Sequence, residues 1–288
     1  PLVPWVDRML FAHSTKARVL LNIGGMANLT WVPPRGSTEI VRAFDTGPGN
    51  VWLDAAAGLA SEGRQVADVD GRLAAAGTVH EPALAALLAD PFFAEAPPRS
   101  TGREHFSQPR LEAWLTEWSG PLAEWPDRLA TLTALTARSI AQALARWIVP
   151  FPIAEIVVTG GGARNPALLR ALRTELDAVG LHEVGLETAK LSEEGLEAAD
   201  SRTESRAAVG ARAPDTAPDT APDAAPNSAP NAGSGEPRVH DLGDAREAIA
   251  FAALAWAHLR GIPANVPACT GARGPRVLGS WTPAPPSP

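Results

Sequence analysis

The 288-residue sequence has one cysteine, and its basic charge is almost all arginine, because Lys16 and Lys190 are its only lysines. A lone thiol, Cys269, cannot form a disulfide within the chain, which excludes a disulfide-stapled scaffold and fits a reducing cytoplasm. No run of about 18 apolar residues occurs, and the first residues lack the basic-then-apolar order of a signal peptide. The sequence therefore predicts no membrane span, no export signal and a cytoplasmic location.

The sequence also lacks clusters of positively charged side chains. The formal net charge is −7, and no cluster of lysine and arginine occurs, so nucleic acid is not an expected partner. Hydrophobic residues make up 45% and charged residues 20%, which is ordinary for a soluble globular protein of one or two domains. The chain begins with Pro1 rather than methionine, and we expect a fragment or a processed chain.

One segment lacks large apolar side chains. Residues 213–232 repeat a tetrad of the form A-P-D-T or A-P-N-A, with proline at every fourth position. Such a segment cannot bury enough apolar surface to offset its chain entropy. We expect 198–236 to be a disordered insertion in a domain that comprises 17–197 and 237–288, and 1–16 to be a separate apolar segment.

The first structural signal in the sequence is a set of three apolar runs that predict strands. Apolar residues at 17–22 and 29–32 flank a glycine-containing turn, and a third run leads to Phe44. Two hairpin-related strands, a third strand and a helix resemble the opening of a ribonuclease-H-like domain, whereas a parallel Rossmann order would need a helix between strands. The predicted fold class is α/β, a ribonuclease-H-like (actin-like ATPase) domain with a mixed sheet flanked by helices.

The stretch 44–50, F-D-T-G-P-G-N, is the strongest candidate for chemistry. Apolar residues before Asp45 predict a strand that ends there, and an alanine-rich helix follows Asn50. Ligands of open α/β sheets bind at the carboxyl ends of strands, and Gly47 and Gly49 would let backbone approach a ligand closely. Asp45 can alternatively be a turn residue whose carboxylate holds the loop through backbone N–H groups.

Three further stretches carry weaker signals. A glycine triplet at 160–162 lies between a predicted strand and a helix at 166–178, which fits either nucleotide contact or a tight turn. The polar loop at 97–106 can hold a ligand or can be a solvated loop in which Arg103 and Glu104 pair with neighbours. Glu247, at the start of a helix at about 244–259, can complement the helix N-terminus or face a ligand.

Together, in this order, the stretches 21–28, 44–50 with Asp54, 100–106, 160–165 and 247–252 resemble the anhydro-N-acetylmuramic acid kinase family. The resemblance implies the sugar kinase, Hsp70 and actin superfamily, with two ribonuclease-H-like domains around an ATP cleft. It implies that ATP, with Mg²⁺, phosphorylates O6 as water opens the 1,6-anhydro ring of the sugar in peptidoglycan recycling. A homodimer is a further possibility.

The resemblance also implies residue roles. Asp45 matches the catalytic base, while Asn22 and Glu247 match sugar contacts. Gly24 and Gly25 match a phosphate-facing turn. The matches to the nucleoside-side turn are Gly161, Gly162 and Asn165, and no protein ligand to a metal is implied.

One departure is clear. The family begins with a phosphate loop of the form G-x-M-S-G-T-S-x-D-G, which this sequence lacks. We therefore expect the chain to lack most of an N-terminal domain, of which 1–16 would be the residual segment. The alternative to a kinase is a catalytically inactive remnant that binds nucleotide.

Overall fold

The computed structural model describes residues 3–188, 190–191, 240–241 and 246–279. Residues 3–188 and 246–279 belong to one compact unit, and residues 190–191 and 240–241 belong to another. The predicted insertion at 198–236 lies outside the described residues, so its boundaries stay a prediction. None of the described helices is both long enough and apolar enough to cross a membrane.

After an initial helix, three consecutive strands are followed by a run of helices, and the remaining strands follow the longest helix. The strands are β1 (Arg18–Ile23), β2 (Met26–Val32), β3 (Arg42–Pro48), β4 (Glu155–Thr159), β5 (Gly185–Thr188), β6 (Lys190–Leu191) and β7 (His240–Asp241). The helices are α1 (Val3–Phe11), α2 (Val51–Ala60), α3 (Arg72–Ala76), α4 (Glu81–Leu88), α5 (Gln108–Glu117), α6 (Trp125–Trp147), α7 (Pro166–Ala178), α8 (Arg246–Leu259) and α9 (Pro267–Thr270). Short 3-10 helices lie at Val69–Gly71, Pro91–Ala94 and Gly161–Arg164.

Strands β1 to β5 form one mixed sheet in the order β3-β2-β1-β4-β5. The pairs β1/β2 and β2/β3 are antiparallel, while β1/β4 and β4/β5 are parallel. Antiparallel neighbours can be joined by tight turns, whereas parallel neighbours need crossover connections, which the helices between β3 and β5 supply. This arrangement confirms the predicted fold class, a mixed sheet flanked by helices that opens with three antiparallel strands.

One face of the sheet packs against the long helix α6. Alternate residues of the strands, such as Leu21, Leu29 and Phe44, are buried in one core with the apolar side chains of α6. Asp127 does not cap this helix as its sequence position suggests, because α6 already begins at Trp125. Its Oδ1 instead accepts a hydrogen bond from the backbone N–H of Thr78, at 2.8 Å.

The opposite face is covered by α1 over part of its area. The Thr30 hydroxyl of β2 donates to Oδ2 of Asp7 in α1 at 2.8 Å, and both residues are buried. Cys269 of α9 packs beside β3, where its thiol donates to the Val41 carbonyl, and burial raises the pKa of this thiol to about 11. The polar residues farther along this face, most of them partly buried, form the candidate site.

Candidate functional site

A row of polar side chains crosses four adjacent strands on this second face. Asp45 of β3 pairs with Asn28 of β2, Asn28 pairs with Asn22 of β1, and Asn22 pairs with Thr159 of β4. Directly paired residues on neighbouring strands place their side chains on the same face. Thr159 is buried, and the other three side chains are partly exposed. The register thus brings the predicted base, Asp45, into one row with the predicted sugar contact, Asn22.

The position of Asp45 within its strand differs from the prediction. Strand β3 does not end at Asp45 but continues to Pro48, because β2 remains paired with it as far as the Met26 and Pro48 pair. A β-bulge opposite Ala27 and Asn28 shifts the register by one residue. Asp45 therefore stands in mid-strand, and the turn that was expected directly after it begins only at the end of β3.

The Asp45 carboxylate has two oxygens in different situations. Oδ2 accepts two hydrogen bonds of 2.8 Å, one from the Ser100 hydroxyl and one from the backbone N–H of Thr101. In the described part of the chain, no hydrogen bond reaches Oδ1. Asp45 therefore holds the loop, as one alternative proposed, and still presents one oxygen that can accept a proton.

Arg99 fixes the main chain beneath this carboxylate. Its buried guanidinium donates to the carbonyl of Asp45 at 2.9 Å. It also donates to the carbonyls of Phe92, Phe93 and Glu95, at 2.9, 3.1 and 2.8 Å. Burial lowers the pKa of Arg99, although the Glu95 carboxylate acts in the opposite direction. Four backbone acceptors on one cation make Arg99 the anchor between β3 and the loop.

Replacing Arg99 with methionine is expected to lower the free energy of unfolding by about 2–4 kcal/mol, because buried carbonyls lose a charged donor. Urea unfolding of both proteins measures the difference. The control is Arg64→Met, which removes an arginine side chain that is 75% exposed and is expected to change stability little. Equal losses in both variants would refute the anchoring role.

The far end of the polar loop is fixed by Asp90. Its carboxylate accepts hydrogen bonds from the Phe92 N–H at 2.8 Å, from Arg110, and from His105 at 3.1 Å. Burial acts to raise the pKa of Asp90, but these hydrogen bonds outweigh it and hold the pKa below its usual range. Phe106, next along the loop, is buried against Trp52. Residues 100–104 are thus held from both ends.

Asp90→Asn is expected to lower the free energy of unfolding at pH 7 by about 1–3 kcal/mol, because hydrogen bonds to a charged acceptor are lost. A carboxyl group whose pKa is lowered by folding stabilises the protein above its unfolded pKa of about 4. This contribution disappears as the pH falls through the lower, folded pKa. Unfolding in urea at pH 7, 5 and 3 should therefore show a difference that narrows in acid. A difference that stays constant would show that the lost stability does not depend on the charge of Asp90.

Three turns converge beside the row. The backbone N–H groups of Gly49 and Asn50 donate to the carbonyls of Gly25 and Gly24, at 2.9 and 2.7 Å. The Asn50 side chain donates to the Ile23 carbonyl at 3.2 Å. These bonds join the turn after β1 to the turn after β3. The glycine triplet after β4 packs on the same place, next to Ile23.

The glycines of these turns are required by contacts within the protein. A Cβ on Gly49 would lie 2.3 Å from the Gly24 carbonyl oxygen, and one on Gly162 would lie 2.4 Å from the Ile23 side chain. At Gly47, which has a φ of +148°, a Cβ would lie 2.7 Å from the Phe93 ring. The close approach at Gly47 and Gly49 is thus to protein atoms, and not to a ligand as the sequence suggested.

Backbone donors remain available at the turns. No described hydrogen bond of the turns and loops uses the N–H groups of Gly24, Gly25, Gly161 or Gly162. Neighbouring backbone N–H groups in glycine-rich turns bind phosphate oxygens in nucleotide sites. The donor set therefore fits the phosphates of a nucleotide.

Two charged side chains stand at the rim of these turns. The Arg103 guanidinium lies near Gly25, about 3.9 Å from where a Cβ on that glycine would stand. Partial desolvation raises the pKa of Asp54 in α2, and the charge of Arg103 acts to lower it. Arg103 and Glu104 are both exposed, so both predicted explanations of the loop, a ligand contact and a solvated loop, stay open.

Of the remaining predicted site residues, Asn165 and Asn22 have described hydrogen bonds, whereas the side chain of Glu247 is not described. The Oδ1 of Asn165 caps α7 by accepting from the Leu168 N–H at 3.1 Å, and the Oδ1 of Asn22 lies 3.3 Å from the Thr159 hydroxyl. Glu247 lies in the first turn of α8, but its side chain is outside the described residues. In the part of the chain described, no group of three or more acidic, histidine or cysteine side chains is placed to hold a metal ion.

Two features of the site were not found from the sequence. Ser100 and Thr101 were noted as part of a polar loop, but nothing in the sequence pairs them with Asp45. Thr136 of α6 donates to the carbonyls of Pro48 and Gly49, both at 3.1 Å, and nothing in the sequence links it to that turn. Its only signal was a hydroxyl among the apolar residues of α6.

Comparisons with known proteins point to one family. A family model described as anhydro-N-acetylmuramic acid kinase matches residues 1–225 and 239–284. The anhydro-N-acetylmuramic acid kinase of Acidithiobacillus ferrooxidans is 39% identical, over 98% of this chain and 58% of that protein. The enzyme of the same name from Streptomyces avermitilis is 37% identical, over 98% of this chain and 57% of that protein. The chain therefore spans less than three fifths of the length of these curated relatives.

A comparison with solved structures gives a weaker likeness. The activator of the 2-hydroxyisocaproyl-CoA dehydratase from Clostridium difficile, with bound ADPNP, is 16% identical with a TM-score of 0.44. The match covers 74% of this chain and 71% of that chain. A likeness at this score supports no conclusion about function.

Proposed function

The chain belongs to the anhydro-N-acetylmuramic acid kinase family, and from that premise we propose the activity of the protein that contains it. In this proposal the protein uses ATP and water to convert 1,6-anhydro-N-acetylmuramic acid into N-acetylmuramic acid 6-phosphate. The product would return cell-wall sugar to cytoplasmic metabolism. Because the chain covers 58% of the length of its first relative, the activity is proposed for the full-length protein.

The observation that carries the proposal is the way in which the carboxylate of Asp45 is held, with one oxygen hydrogen-bonded to described residues and the other not. A general base must lie within hydrogen-bond reach of the proton that it removes, in a fixed orientation. Ser100 and Thr101 hold one carboxylate oxygen, and Arg99 holds the main chain of the same residue. The second oxygen, Oδ1, therefore has a fixed orientation and accepts no hydrogen bond from the described residues.

The proposed reaction at Asp45 balances as follows. Oδ1 takes one proton from a water molecule as the water oxygen bonds to C1 of the sugar. The bond from C1 to O6 breaks, and its electron pair goes to O6. O6 then receives the terminal phosphoryl group of ATP, and ADP leaves. Asp45 loses its extra proton to solvent when the product departs.

The glycine turns are proposed to bind the nucleotide. The N–H groups of Gly24, Gly25, Gly161 and Gly162, which no described turn or loop hydrogen bond uses, would donate to phosphate oxygens and hold the chain of phosphates against the polar row. Asn165 would contribute at the nucleoside side, next to the helix that it caps. When bound, Mg²⁺ supplies charge neutralisation to the phosphates, and it is commonly held by phosphate oxygens, water and one or two carboxylates.

Two residues are proposed to bind the sugar. Asn22 lies in the same row as Asp45, two strands away, where a carboxamide can hydrogen-bond a hydroxyl of the bound sugar. Glu247 is proposed as the second contact on the strength of the family resemblance alone.

An isotope experiment on the full-length protein tests the proposal. In water labelled with ¹⁸O, with ATP and the anhydro sugar, the expected product carries one label at C1 and none in its phosphate group. Mass spectrometry of the product and of its fragments measures both positions. The inactive-remnant alternative predicts nucleotide binding with no product. Phosphorylated sugar without label at C1 would refute water as the ring-opening nucleophile.

A further inference from the structure

Asn28 is the member of the polar row that has no assigned role. It lies on β2 between two proposed functional residues, paired with Asp45 on one side and with Asn22 on the other. Direct cross-strand partners have Cβ atoms about 4.5–5.5 Å apart. The carboxamide of Asn28 is therefore the amide nearest to the carboxylate of the proposed base along the sheet.

The Asn28 side chain is partly buried and has no hydrogen-bond partner among the described residues. Its neighbours in the row do have partners: Asp45 has Ser100 and Thr101, and Asn22 has Thr159. A carboxamide offers two donors and an acceptor oxygen. The Asn28 amide is not among the buried unpaired groups of the described residues, so it stays open to solvent and is available to a bound molecule beside Asp45.

The chemistry of the attacking water indicates which molecule this is. A water molecule that attacks carbon must point a lone pair at C1, so both of its O–H groups must point elsewhere. The base accepts one of them. A second acceptor, on the same side as the base and a few ångströms away, is needed to fix the orientation of the other.

We propose that Asn28 is this second acceptor and is a positioning residue for the attacking water. Its Oδ1 receives one O–H group of the water while Oδ1 of Asp45 takes the proton of the other. Asn28 neither gains nor loses a proton, because an amide does not titrate near neutral pH. The inference rests on the proposed function, since it requires water as a reactant.

The experiment compares Asn28→Ala and Asn28→Asp in the full-length protein, with Gln108→Ala as the control. Gln108 is an exposed amide on α5 whose side chain donates to Glu112 in the next turn. Loss of water orientation in Asn28→Ala should lower kcat about 100-fold with the KM for ATP unchanged. The control should keep the wild-type kcat.

Asn28→Asp keeps the shape and the acceptor but places a second carboxylate beside Asp45. Two neighbouring carboxylates disfavour each other's ionisation, so the acid limb of the kcat–pH profile should move to higher pH. Asn28→Ala should lower that profile without moving it. A purely structural role for Asn28 would leave the kcat of a folded Asn28→Ala protein at the wild-type value, whereas the shift in Asn28→Asp shows only that position 28 lies beside the Asp45 carboxylate.

The outcomes separate this inference from the proposed function. If the wild-type protein makes no product, the proposed function fails. If the wild type is active and Asn28→Ala keeps its kcat, or loses only affinity for the sugar, the positioning role is refuted and the proposed function stands. Should Asn28→Ala melt well below the wild type, Asn28→Asp decides: above its acid limb the retained acceptor oxygen should keep kcat near the wild-type value, and a kcat as low as that of Asn28→Ala overturns the inference.

Discussion

Replacing Asp45 with asparagine is expected to lower kcat about 1,000-fold while the affinity for ATP stays within a factor of two. A positioned general base contributes about 10²–10⁴-fold to a rate, and an amide cannot accept the proton. The substitution keeps the size of the side chain, and its oxygen can still accept from Ser100 and Thr101. The loop should therefore stay in place, and only the proton transfer should be lost.

The matched control for this variant is Glu104→Gln. Glu104 carries an exposed carboxylate on the loop that contains Ser100. Glu104→Gln changes the net charge of the protein by the same amount as Asp45→Asn. Steady-state assays of both variants and nucleotide titration by calorimetry make the comparison. Equal losses of kcat would show that charge on the loop, and not the base, limits the reaction. An active Asp45→Asn protein would remove Asp45 from the mechanism.

The elements of the sheet could be predicted because their signals are local. The apolar runs before the glycine turns, the alanine-rich run after Asn50 and the glycine triplet after β4 each lie within a few residues of the element that they predict. The structure has β1, β2, α2 and α7 close to the predicted positions. Two strand ends were wrong: β2 begins at Met26 and not at Leu29, and pairing with β2 carries β3 past Gly47 to Pro48.

The contacts that complete the site could not be predicted because they are distant in sequence. Thr101 donates to a carboxylate 56 residues earlier, and Thr136 donates to a carbonyl 88 residues earlier. Such pairs depend on how the elements pack, for which a hydroxyl in a single sequence gives no sign. The row that contains Asn28 depends in addition on a bulge, since a shift of one residue changes which side chains are opposite.

The glycine triplet shows how two explanations of one motif can be related. The sequence predicted either nucleotide contact or a tight turn at 160–162, and at Gly160 and Gly162 the space that a side chain would need is filled by residues of β1. These two glycines let one turn lie against another, and no hydrogen bond of the described turns and loops uses the N–H groups of Gly161 and Gly162. Nucleotide contact and tight packing are thus compatible explanations of one sequence.

This packing makes Gly160 the turn position at which a methyl group is expected to do most damage. Its φ and ψ of +79° and −179° lie in a region that is essentially restricted to glycine, and a Cβ there would lie 2.7 Å from both the Ile23 carbonyl oxygen and the Asn22 Oδ1. Strain and overpacking each cost about 1–3 kcal/mol. We expect Gly160→Ala to lower the free energy of unfolding by about 3 kcal/mol and Tm by roughly 6–12 °C.

The same change should weaken ATP binding, because the clash can be relieved only by moving the triplet away from β1 and with it the N–H groups of Gly161 and Gly162. Gly120→Ala is the matched control, since no atom lies within 4 Å of the position of its Cβ and its φ is not positive. Calorimetric melting and nucleotide titration of both variants give the two readouts. A Gly160→Ala protein that melts with the wild type would show that the turn can move without cost. If that protein also bound ATP normally, the triplet would not form part of the nucleotide site.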